Sequence, residues 1–104
     1  MNKIQSISHP SELETSMLII DFEQNWDDEN INSLTEMLLA KLNVSKTIET
    51  IVGADRQDVR FEFANSILQL HFEVNSNSCW LEPELGNDPN GATAIELAHK
   101  SLLL

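Results

Sequence analysis

A single cysteine, Cys79, is all that 104 residues contain. An intramolecular disulfide is impossible, so disulfide-scaffold folds are excluded, and so is a cysteine-built zinc ribbon. Glycine and proline are scarce, with three of each. Gly53, Gly86 and Gly91 form no glycine-rich, phosphate-cradling signature. No ordering of serine, histidine and aspartate points to an activated nucleophile. The longest unbroken apolar run, Met17 to Ile20, falls far short of the ~20 residues of a membrane helix. No basic segment followed by an apolar stretch marks a secretory signal, and a soluble cytoplasmic protein is expected. Positive charge is also short: 6 Lys and Arg face 17 Asp and Glu, for a net charge of -11. Between Lys3 and Lys41 the acids Glu12, Glu14, Asp21, Glu23, Asp27, Asp28, Glu29 and Glu36 run without a single base. Such a field repels phosphate backbones and anionic lipid, so neither nucleic acid nor membrane is an expected partner. It would attract a basic protein, although solubility alone also accounts for it.

What the chain has in abundance is alternation. Val59, Phe61 and Phe63 share one parity, against Asp58, Arg60 and Glu62. Leu68, Leu70, Phe72 and Val74 then alternate with Gln69, His71 and Glu73, and Cys79 and Leu81 with Trp80 and Glu82. Period two marks strands with one wet and one dry face. Joined by Ala64-Asn65-Ser66 and Asn75-Ser76-Asn77-Ser78, they read as an antiparallel meander. Met17 to Phe22 and Ser45 to Val52 add further strands. Ile31, Leu34, Leu38 and Leu42, with Thr35 and Leu39, form the stripe of an amphipathic helix that Asp27 or Asp28 can cap and Lys41-Asn43 can close. Trp26 reads as a core residue stapling that helix start. A second helix is expected from the Asp88–Ala92 region to about Leu103, buried through Ala94 or Ile95, Ala98 and Leu102. Residues 1–16 carry no period and read as a flexible lead, with room for a short edge strand.

The expected fold is α+β. About five strands, in the chain order β-α-β-β-β-β-α, form a mainly antiparallel sheet with both helices on its dry face. Residues 17–104 make one domain. The unit spanning 17–52 offers a parallel pairing of its two strands by a right-handed crossover.

Pairing Val74 with Cys79 sets Glu73 opposite Trp80 and His71 opposite Glu82. These residues, with Arg60 or Asp58 and with Ile67 alongside, make one wet patch. Arg60, Ile67, His71, Glu73, Trp80 and Glu82 are therefore the candidate interaction surface. A histidine between carboxylates suits acid–base or metal chemistry in principle. A flat sheet face does not exclude water, and no ligand motif is present, so no catalytic residue, cofactor or metal is assigned. Parity sends the Cys79 thiol inward and the His71 imidazole outward, so the two cannot pair. Trp80, on the wet parity, exposes apolar area that invites a cover: a partner, a second copy, or the chain's own lead over 1–16.

Gly53-Ala54-Asp55-Arg56, Phe61-Glu62-Phe63, Leu68 to Glu73 and Ser78-Cys79-Trp80-Leu81-Glu82 follow one another in an order that resembles the domain of unknown function 3630 family. The resemblance covers roughly residues 17–100. It implies a bacterial cytoplasmic protein of about this length and supplies no catalytic residues. The expected function is thus a non-enzymatic protein-interaction module using the face around Trp80 to hold a protein partner or a second copy. One alternative is an acidic immunity-type inhibitor or chaperone of a basic protein. A further one is a small metal-binding or hydrolytic domain using His71, Glu73 and Glu82.

Overall fold

The computed structural model describes residues 2–10 and 16–104. Among the described residues there are six strands: β1 (Ile4–Ser8), β2 (Leu18–Phe22), β3 (Glu49–Val52), β4 (Arg56–Phe63), β5 (Ser66–Glu73) and β6 (Ser78–Pro83). Helix α1 (Ile31–Lys41) follows β2, and α2 (Gly91–Leu102) follows β6. The strands form one sheet in the order β1-β2-β6-β5-β4-β3. Every neighbouring pair is antiparallel. The fold is α+β with the expected element order, plus one strand. That strand, β1, comes from the aperiodic lead over 1–16. Within that lead, residues 11–15, which include Glu12 and Glu14 of the acidic run, lie outside the described residues.

Period two does its work on the dry face. Leu18, Ile20, Phe22, Val59, Phe61, Leu68, Leu70, Phe72, Cys79 and Leu81 are all buried there. Against them pack Ile31, Leu34, Leu38 and Leu39 of α1 and Ala94, Ile95, Ala98 and Leu102 of α2. Each fully buried large apolar side chain contributes roughly 1.5–3 kcal/mol. Both helices therefore lie on one face, and among the described residues no helix covers the other. Trp26 is 6% exposed and meets Phe72 edge to face, ring centroids 5.5 Å apart. Asn77, at φ 52°, brackets its backbone: the Asn77 Nδ2 donates to the Trp26 carbonyl at 2.6 Å.

Local chemistry sets the ends of the elements. Asp27 accepts from the Glu29 amide at 3.0 Å, so its cap closes the turn before α1 rather than the helix itself. At the far end Asn43 takes φ 60°, its amide bonds the Ala40 carbonyl, and Val44 bonds the Leu39 carbonyl. That is a Schellman closure with asparagine in the left-handed position. Gly91 opens α2 because a Cβ there would stand 2.9 Å from the Pro83 Cγ.

Three expectations need correction. β2 and β3 make no parallel pair, since β6, β5 and β4 lie between them and α1 carries the chain across the whole sheet. The ladder of β3 begins only at Glu49, not Ser45. The β5–β6 hairpin closes one residue earlier on each strand than expected: Glu73 pairs with Ser78 and Phe72 with Cys79. Val74 is spent in the turn, where it accepts from the Asn77 amide.

Candidate functional site

The open face is organised in cross-strand rows. One row runs Ile51, Asp58, His71, Trp80, Ile19, from the β3 edge to β2. The slip of the last hairpin changes which residues meet. His71 faces Trp80 rather than Glu82, and Glu82 faces Gln69. Because a slip of this kind keeps every side chain on its face, the outward set survives.

His71 is the centre of the row. Its ring stacks on the Trp80 indole, with centroids 4.9 Å apart and planes inclined by 27°. Nδ1 lies 2.5 Å from Asp58 Oδ1, and Nε2 lies 3.1 Å from Glu82 Oε1. A ring protonated on both nitrogens donates to both carboxylates. Asp58 also accepts from Arg56 Nε at 3.0 Å, and the Arg56 guanidinium stands 5.3 Å from the Trp80 ring centroid. So enclosed, His71 is 4% exposed. The expectation that it meets solvent is corrected: parity sets the side of the sheet, and neighbouring side chains on that side then cover the ring. Asp58, offered as an alternative to Arg60, is the one that reaches the imidazole.

The other candidate residues lie around this centre. Trp80 is half-buried, with one face given to His71. Glu73 is half-buried, opposite Arg56 on one side and Ser78 on the other. Ile67, also half-buried, faces Glu62. Arg60 does not join the imidazole. It donates to Glu84 at 2.6 Å and to Glu49 at 3.1 Å, and these bonds, Glu84 first, raise its pKa above the ordinary arginine value.

Cys79 lies on the far side of the sheet from His71, buried in the core. Burial first, and the charge of Asp21 second, push its thiol pKa well up, so it stays protonated. Among the described residues, no group of three His, Cys, Asp or Glu side chains is placed to hold a metal ion. A cleft of about 500 Å³ opens beside the start of α1, lined among others by Asn2, Gln24, Asn30 and Met37. It does not touch the candidate surface. One contact had no signal in the sequence: the His9 and His99 rings meet edge to face at 5.6 Å, and His9 Nδ1 lies 2.9 Å from the Met17 carbonyl.

Both imidazole nitrogens are engaged by carboxylates, Nδ1 by Asp58 and Nε2 by Glu82. The family described as protein of unknown function (DUF3630) matches residues 8–96. No curated protein and no solved structure matches the chain.

Proposed function

We propose a protein-binding role for this chain, which belongs to the DUF3630 family of proteins of unknown function. The open sheet face around Trp80 takes a cationic segment of a partner protein. One observation carries this reading: an indole stacked on a buried imidazole stands among carboxylates, on the face that carries no helix among the described residues. Rigid aromatic side chains in a polar setting are the usual anchors of protein interfaces. Glu62, Glu73 and Glu82 share the face with Trp80, and Arg56 and Arg60 are already bonded to Asp58, Glu49 and Glu84. The unmatched charge of the face is therefore negative, in keeping with the net -11 of the chain. A basic partner is steered to such a surface, and faster at low salt. An inhibitor of a cationic protein and a chaperone for one are two forms of the same reading.

The test is site-specific photo-crosslinking in the native host, with the probe at Glu73 and a control probe at Leu97, 44% exposed on α2. A basic protein should be captured from Glu73 and not from Leu97. With that partner purified, Trp80→Ala should weaken binding by at least ~2 kcal/mol, about 30-fold in Kd. Raised salt should weaken it further, while circular dichroism stays native. Equal capture from both positions, or a Trp80→Ala variant that is folded and binds as wild type, would rule the reading out.

A further inference from the structure

The two edges of the sheet are guarded differently. β1 carries a register irregularity between Ile4 and Ser6, and Pro10 follows it. Both features discourage further strand pairing. β3 has neither. It is the regular run Glu49-Thr50-Ile51-Val52, exposed at every residue, with Ile51 51% and Val52 71% exposed. Its sequence is mostly β-branched, the type that favours pairing. The Gly53 amide donates to the Arg56 carbonyl at 2.7 Å. Hydrogen-bonded pairs alternate along an antiparallel ladder, so Ile51 with Asp58 and Glu49 with Arg60 are the bonded pairs on the inner side. The amides and carbonyls of Thr50 and Val52 therefore point outward along the edge.

We propose that a second copy of this chain pairs here, β3 against β3, antiparallel about a two-fold axis at Ile51. Thr50 of each copy then exchanges backbone bonds with Val52 of the other, which satisfies the outward groups of both. Ile51 meets Ile51 in the closer, non-bonded position. Glu49 falls opposite Gly53. A register centred on Glu49 would set two carboxylates against each other. One centred on Thr50 would pair Val52 with Ile48, whose amide already donates to Arg60 at 2.7 Å. The Ile51 register is free of both faults. The two-fold axis stands perpendicular to the sheet, so the assembly closes at two copies, with all four helices on one side. The open faces join into one surface carrying two Trp80 sites. This inference is independent of what binds there.

Sedimentation of the purified chain tests it. Wild type should be dimeric at high micromolar concentration. Ile51→Lys and Ile51→Glu should each raise the dimer Kd by about tenfold or more, with native circular dichroism. An equimolar mixture of the two should recover the dimer, because opposite charges then face each other across the axis. Under mild oxidation Ile51→Cys should cross-link between copies and Val52→Cys should not. A monomeric wild type, Ile51 charge variants that remain dimeric, a mixture without recovery, or cross-linking at Val52 instead of Ile51 would each overturn the proposal.

Discussion

At the scale of the residue, two groups are set by their surroundings in ways a titration can read. The carboxylate of Asp88 accepts from the Ser66 hydroxyl at 2.6 Å and from the Asn90 amide at 2.9 Å. These bonds, Ser66 first, lower its pKa below the usual carboxylate value. The fold therefore favours the charged form. Its stabilisation is fully present above the unfolded value of ~3.9 and is lost as pH falls through the lower folded value. Asp88→Asn should lower Tm at neutral pH, and the two melting curves should converge as pH is taken below 4. Curves that stay parallel would show that the contact is not linked to protonation. Cys79 behaves in the opposite sense, since burial holds the thiol in its protonated form. Iodoacetamide at pH 8 should leave the native protein unlabelled and label it fully in denaturant. Prompt native labelling would mean the sulfur is reachable. The sidedness of Cys79 was legible because strand parity is geometric. The enclosure of His71 was not, because parity carries no information about how far Trp80, Asp58 and Glu82 lean over it.

At the scale of the element, the helices were more legible than the turns. The stripe from Ile31 to Leu42 reads directly as α1, and Asn43 marks its end. The last hairpin misled because Val74 continues the apolar parity of β5 past the point where the ladder stops. Two asparagines, Asn65 at φ 64° and Asn77 at φ 52°, mark the positions where the chain actually reverses. Asparagine tolerates that left-handed conformation, and such tolerance locates a turn more sharply than an apolar pattern does. The start of α2 depends on close approach: Gly91 lies against the Pro83 ring. Gly91→Ala should therefore destabilise the fold by ~1–3 kcal/mol by urea unfolding, despite the better helix propensity of alanine. A neutral or stabilising result would show that β6 and α2 can move apart at no cost.

At the scale of the whole molecule, the two-layer architecture follows from composition and parity together. One dry parity across the sheet and two amphipathic helices leave a single arrangement that buries both stripes. The strand order was beyond that reasoning. Amphipathic patterns say which face an element buries and not which strand it lies beside, so β2 could not be placed against β6. β1 falls in the lead where the sequence left room for a short edge strand, but half-buried Ile4 and Ile7 give too little apolar contrast to fix its bounds.

That placement of β2 has a consequence for the order in which the protein assembles. When the chain emerges from the ribosome, β1 and β2 appear first, as a two-stranded ribbon too small to persist alone. The four strands from β3 to β6 are joined by short hairpins and can zip together locally. The early ribbon must wait for β6, and its capture, through Leu18 meeting Leu81, closes a long loop. Such non-local closure is the slow kind. β1 and β2 are thus made before the strand they pair with, and the six-stranded sheet stays unfinished until β6 has been made.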